Sequence, residues 1–396
     1  MKTINIIGAI TRAALSTGGR AKSKFPSVAK TLALTSGLAM AASIASAQSF
    51  TGLGFFTDPP VAGTESYARG VSDNGVVVGY GFIPPANAPT TGFRALGWTQ
   101  LEGMVNLGTL PSGTYSVSRA VSADGLTMAG WSGTPVGLLE LTHACVWTGA
   151  GVRDLGSSGA GNSLAYGISA DGSVVVGYNY LANSQLRAFR WTEGGGMANL
   201  GVLSGTGWAS STAYGVSGNG QVVVGVCEKY QANNQRAFRW TQSGGMQTLG
   251  TLKSGKFSEA WAANANGSVV VGSSDSVRGS RAFRWTSAGM KDLGALPGQL
   301  YSYGRAISGD GSKIVGYCGD GTVEVLPISG SNVTTGRAFY WTSATGMVDL
   351  NTYLAPLMPS GWTLRGAIGI SAGGTTITGW GMHDGKPEAW VARLVP

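Results

Sequence analysis

Apolar residues in this chain come in short runs rather than in strict alternation. Val-Val-Val stands at 76–78, 174–176, 222–224 and 269–271, each time followed by Gly. A strand that is apolar at consecutive positions is covered on both faces, whereas a sheet wet on one side alternates. Just before each run lies a turn signal. Gly75, Gly125, Gly172, Gly220, Gly267, Gly311 and Gly374 recur at spacings of 50, 47, 48, 47, 44 and 63, and six of the seven follow Asp or Asn. Asp-Gly and Asn-Gly tolerate φ > 0 at both central positions of a two-residue hairpin, so a tight turn of that type is expected at each.

One repeat unit predicts four short strands. They are a (213–217, "AYGVS"), b (222–226, "VVVGV"), c (236–240, "RAFRW") and d (245–250, "GMQTLG"). "RAFRW" also stands at 187–191 and 281–285, with looser copies at 94–98, 143–147, 337–341 and 388–392. Strands a, b and c occur seven times, but strand d only six, and the chain stops at Pro396 before a seventh. The missing copy is expected at the other end, where "SFTGLG" (49–54) has no neighbours of its own. Sheets of about 45 residues stacked around an axis cover both faces of each strand b, and ring closure removes exposed edges. The expected fold is therefore all-β: a seven-bladed β-propeller of four-stranded blades, with the N-terminal strand completing the last.

In this architecture Phe189, Phe238, Phe283 and Phe339, with Trp191, Trp240, Trp285 and Trp341, form the blade-to-blade core. Cys145 stands where other copies have Phe and is expected to be a buried, inert thiol. Cys227 and Cys318 take equivalent places in non-adjacent repeats, too far apart for a disulfide.

The ordered series Arg/His-Ala-Phe-x-Trp, Gly-Met-x-x-Leu-Gly-x-Leu, Ser-x-Asp/Asn-Gly and Val-Val-Val-Gly resembles the bacterial extracellular HAF repeats over essentially all of 49–396. Only His143-Ala144 keeps the family's histidine. Arg94, Arg187, Arg236, Arg281, Arg337 and Glu388 replace it elsewhere. The resemblance implies an exported or surface protein, in some members an autotransporter passenger, and it implies no particular activity.

The ends change the reading of charge. Residues 1–47 hold six basic residues, no acidic one, and a small-residue apolar stretch ending Ala45-Ser46-Ala47. That is expected to be a secretory signal, leaving 48–396 as one propeller domain exported to the periplasm, the surface or the medium. Six of the eight net positive charges fall in that segment, so the basic balance gives no support to a nucleic-acid partner. A membrane span is not expected, since the apolar stretch is short and diluted by Ser, Thr and Gly. Charged residues are only 12% of the chain and glycines number 65, which suits a Gly-rich β repeat rather than disorder.

Catalytic patterns are sparse. The only histidines are His143 and His383, and no zinc, nucleophile-elbow or phosphate-loop motif is present. No cofactor, metal site or catalytic residue is expected, and the mature chain is expected to be a monomer. The Ser-x-Asp-Gly copies have a sufficient role as turns. The d–a and b–c connections share one face and vary in length (131–142, 317–336, 351–364), and variable loops on a rigid frame favour binding. Most d–a loops carry one aromatic before strand a: Tyr115, Trp208, Phe257, Tyr301 and Trp362, with Glu65 and Asn162 in the other two blades. Three residues before each strand-a Ser or Asn stand Arg69, Arg119, Tyr166, Tyr214, Trp261, Arg305 and Ile368, expected around the channel mouth. Aromatic faces beside Arg suit a glycan or an anionic surface partner. The expectation is a non-catalytic binding module working through that face. The alternative is a glycan-active hydrolase or lyase, which needs a pair of carboxylates drawn from acids such as Glu65, Glu140, Glu259, Asp320 and Glu324.

Overall fold

Each predicted repeat folds as one antiparallel sheet, and seven such sheets stand around a common axis. The structure is a computed structural model that describes residues 48–57, 63–83, 92–136, 139–158, 161–229, 234–320, 323–325, 332–334 and 336–394. The expected export signal at 1–47 lies outside them. Blade four shows the common plan, with strands Trp208–Val216, Val222–Lys229, Gln235–Thr241 and Gly245–Gly250 in order from the axis outward. Blade seven runs Trp362–Ile370, Thr376–His383 and Lys386–Arg393, and its fourth strand is Ser49–Gly52. The register of that closure is Ser49 on Arg393, Phe50 on Ala392, Thr51 on Val391 and Gly52 on Trp390. Among the described residues there is one short helix, Leu350–Tyr353, and no helix long and apolar enough to cross a membrane.

The Val runs pack on both faces as their sequence requires. In blade three, Val175 joins Ala129 and Ala144 of blade two, while Val174 and Val176 join Val223 and Phe238 of blade four. Phe189, Phe238, Phe283 and Phe339 are wholly buried, and Cys145 takes the same place in blade two. The tryptophans divide: Trp191 and Trp341 are buried, whereas Trp240 and Trp285 are only partly so. The three cysteines are unpaired and buried, and burial pushes the Cys227 and Cys318 thiols up to about 12.

Every residue of "RAFRW" proves to be a contact with a neighbouring blade. The first Arg clamps a carbonyl of the next blade: Arg187 donates to Ala209, Arg236 to Lys256 and Arg281 to Leu300. The second Arg reaches the next blade's turn, as Arg239 Nε does to the Gly267 carbonyl at 3.2 Å. The Ala N–H donates to a buried Ser of the next strand a, which in turn donates to the carbonyl ending strand d. For blades four and five these are Ala237 N–H to Ser258 Oγ at 2.9 Å and Ser258 Oγ to Gly250 O at 2.6 Å. The same Ser pin recurs at Ser66, Ser116, Ser163, Ser211 and Ser302. Blade seven has no such Ser, and Asn351 substitutes, accepting from Leu364 N–H at 2.7 Å. Ser258→Ala strands a buried donor and acceptor, so it is expected to cost about 1–3 kcal/mol, read as a lowered urea midpoint with an unchanged slope.

Two expectations about connections are corrected. At the a–b turns only the glycines take positive φ; the preceding Asp or Asn does not. Gly75 N–H donates to Ser72 O at 3.2 Å and Ser72 N–H to Val76 O at 3.0 Å, so the loop is longer than two residues and has Gly at its left-handed position. The Asp earns its place through its side chain. Asp171 Oδ1 accepts from Ser169 Oγ and from Ser173 N–H, which holds its carboxyl below the usual carboxylate range. The second correction concerns 131–142, which is mostly sheet rather than loop. Met128–Val136 and Leu139–Thr148 stay paired out to Val136 opposite Leu139, even across Pro135, which has no N–H to donate. The 317–336 connection likewise carries a small hairpin, Val323–Val325 with Asn332–Thr334.

A belt of hydrogen bonds ties the a–b turns together around the channel. Asp73 N–H donates to Ala123 O, Ala123 to Ala170, Ala170 to Gly218, Asn219 to Ala265, Ala265 to Gly309 and Gly309 to Ala372, all at 2.8–3.0 Å. Gly373 N–H closes the circle on Asp73 Oδ1 at 2.7 Å.

Candidate functional site

The seven residues expected around the channel share one backbone cause. In every blade the ladder between strands a and b skips a residue of strand a at one shared position, which holds Arg69, Arg119, Tyr166, Tyr214, Trp261, Arg305 or Ile368; blades four and seven skip a second, Ala209 and Arg365. A β-bulge turns its extra residue out of the pleat, and since strand a is innermost, all seven line the central cavity. That cavity, about 260 Å³, runs from this ring to the small residues of the turn belt. It therefore lies toward the uniform a–b turns, not toward the variable loops. On the loop side the channel is packed by Tyr67, Tyr80, Trp380, Tyr317 and Met382.

The ring is divided by chemistry. Blades three to five supply a continuous aromatic arc, with Tyr166 on Tyr214 at 5.5 Å and Tyr214 stacked on Trp261 at 4.0 Å and 10°. Blades six, one and two supply guanidiniums. Arg305 lies 3.4 Å over the Trp261 ring, Arg119 lies 4.9 Å over Tyr166, and Arg69 donates to the Tyr80 hydroxyl at 2.8 Å. Burial and the charges of Arg69 and Arg305 lower Arg119 to about 9, and Arg305 is lowered chiefly by burial.

The five loop aromatics do not converge. The Tyr115 hydroxyl is hydrogen-bonded to Thr142, Tyr301 packs over Gly279, and Trp362 stacks on His383 (4.5 Å, 12°) and meets Phe50 of the closing strand edge-on. Trp362 thus belongs to the seam of the ring. Glu388 belongs there too. It accepts from Gly54 N–H at 3.0 Å and pairs with His383 Nδ1 at 2.7 Å, which explains an acid where other blades have Arg. His143 bonds Asp154 within its own blade at 2.8 Å.

Phe257 and Trp208 are different. Phe257 borders a polar groove of about 700 Å³ between blades four and five on the loop face, with Glu228, Lys229, Glu259, Asp275 and Tyr303. Trp208 touches it through Lys229, whose Nζ sits 5.1 Å over the indole. Asp275 Oδ1 accepts both Lys256 and Phe257 N–H groups at 2.6 Å, and Glu228 accepts from Gln235 at 2.8 Å. Glu259 accepts from Ser273 at 2.8 Å. Sequence reasoning named Phe257 and Glu259 separately and missed the groove, whose walls come from three blades. Of the other acids, Glu65 is buried beneath the Tyr67 hydroxyl and raised by that burial. The side chains of Glu140 and Glu324 lie outside the described residues. Among the described residues no cluster of three His, Cys, Asp or Glu side chains gathers in metal-binding fashion.

No family model matches the chain, and no curated relative was found. Solved structures do resemble it. An oligogalacturonate lyase from Vibrio parahaemolyticus aligns over 88% of this chain and 97% of its own, with 10% identity and TM-score 0.53. The β-propeller domain of the Trilobed protease from Pyrococcus furiosus aligns over 83% and 95%, with 8% identity and TM-score 0.51. A prolyl endopeptidase aligns over 84% of this chain and 50% of its own, with 11% identity and TM-score 0.52. At these identities the likeness is one of fold, and the fold they share with this chain is the β-propeller.

Proposed function

We propose that this chain is an exported propeller acting as a non-catalytic binding module, with a glycan seated in the loop-face groove between blades four and five. The observation that carries the reading is the groove's composition. An aromatic edge, Phe257 and Tyr303, stands beside carboxylates and an amide that are already oriented by hydrogen bonds. Pre-oriented polar groups beside aromatic surface bind a polyhydroxylated ring with little ordering cost. The repeats hold the frame and leave this face free to vary. Export rests on the composition of 1–47 and on the HAF resemblance.

The test is a glycan-array screen with the purified chain, followed by titration of the best ligand. Phe257→Ala and Glu259→Gln are each expected to weaken binding about tenfold or more, about 1.4 kcal/mol, with the melting temperature little changed. Binding that ignores both substitutions would remove the site. A second reading, a glycan-active enzyme, is favoured by one feature, the presence of Glu228 and Glu259 on the same groove. Release of shortened products from the bound glycan, lost in Glu228→Gln, would establish it in place of the first.

A further inference from the structure

The central cavity lies on the opposite side of the ring from the groove. Three guanidiniums face it, from Arg69, Arg119 and Arg305, and its lining contains no carboxylate. Among the described residues none of the three forms an ion pair. Two acids of the surrounding blades are engaged elsewhere. Asp73, at the turn rim, is held by Gly373 N–H, and Glu259 acts on Arg305 from the groove side while bonded to Ser273. The ring also has donors in excess of acceptors: Arg69 Nε and Trp261 Nε1 are buried without a hydrogen-bond partner.

This arrangement is costly for a structural role alone. Packing needs volume, which Ile368 supplies at the same ring position without charge. Like charges sharing a poorly solvated space repel, and cation–π contacts offset only part of that cost. Seven bulges turn these side chains toward the axis, and beyond them the cavity wall is uncharged: Val71, Val121, Ile168, Val216, Ile307 and Ile370, then the Ala and Gly of the turn belt. Guanidiniums pair with carboxylate or phosphate oxygens through two parallel hydrogen bonds. We infer that the cavity between the bulge ring and the turn belt is a binding site for a small multivalent anion, a polycarboxylate or phosphate ester, entering from the a–b turn face and held by Arg69, Arg119 and Arg305.

The site can be tested without knowing the physiological ligand. The full chain is melted in citrate and in inorganic phosphate against sodium chloride at matched ionic strength, and citrate is also titrated calorimetrically. A saturable rise in melting temperature is expected, about 3 °C at roughly a hundredfold excess over Kd, with one anion bound per chain. Arg119→Gln and Arg305→Gln should each weaken binding about tenfold or more. Ala170→Phe, which fills the floor without touching an arginine, should abolish it. If neither anion stabilises beyond the chloride control, the inference is overturned. It is likewise overturned if stabilisation survives in the Arg119→Gln, Arg305→Gln double variant or in Ala170→Phe.

Discussion

Trp390→Ala is expected to lower the free energy of unfolding by about 3–5 kcal/mol, near the upper end for a single core truncation. Among the described residues Trp390 is the largest wholly buried side chain, and it lies at the seam where Ser49–Gly52 pairs with Lys386–Arg393. It packs with Leu350, Leu354 and Leu364, stacks near Phe50 at 6.0 Å, and faces Gly52 across the ladder. Losing it removes apolar burial and the surface on which the closing strand rests. Trp390 takes the Phe place of the motif, opposite Gly379 as Phe283 is opposite Gly272, and its loss should exceed that of Trp285→Ala, a strand-c tryptophan of blade five that is only partly buried. Urea denaturation of both variants checks the order. Proteolysis at the N-terminus should quicken only in Trp390→Ala, since that variant alone frees the Ser49–Gly52 strand.

Arg119→Met should act in the opposite direction, stabilising the ligand-free chain by about 1–3 kcal/mol, as apolar replacements of buried charges do. The sign follows from linkage. Arg119 is lowered to about 9 in the folded chain from its ordinary, higher value when unfolded, first by burial and then by Arg69, with Arg305 adding to it; Tyr166 and Tyr80 act the other way. Below pH 9 both states hold the proton and the folded state bears the full repulsion. Above 9 the unfolded state binds more protons, so wild-type stability gains relative to the variant as pH rises. The advantage of Arg119→Met in thermal melts should thus be greatest near neutrality and shrink above pH 9. A variant that is more stable yet no longer binds citrate would show a site maintained against stability.

Much of this architecture is legible in the sequence because the repeat is a packing code. The Val runs announce two covered faces, the Asp/Asn-Gly pairs announce turns, and the displaced "SFTGLG" announces closure. The Ser pins were legible as well: Ser stands six residues before the strand-a Ser or Asn in blades one to six, but a small polar residue attracts no notice until its partners are seen. The bulges were not legible. A bulge is a mismatch of register between two strands, and Arg, Tyr or Trp at the extra position does not mark it as Gly would. Without that offset, the depth of the inward ring along the channel could not be told, and the ring was expected at the loop mouth rather than toward the turns. The groove was hidden for a different reason. Tyr115, Phe257 and Trp362 look alike in one dimension, and only their neighbours separate a loop packed on Thr142, a groove wall and a seam. Glu388 shows the same limit: an acid in the Arg column reads as decay of the repeat, and in space it holds Gly54.

The account assigns repeating residues to the frame and non-repeating ones to ligands. A scan of all single substitutions in 48–394, scored in parallel for folded yield and for retention of the array-selected glycan and of citrate, tests that division directly. Substitutions that spare folding but lose a ligand should cluster around Phe257 and Glu259 or around Arg69, Arg119 and Arg305. If they fall instead within the Arg-Ala-Phe-x-Trp strands, or scatter without clusters, the division is wrong.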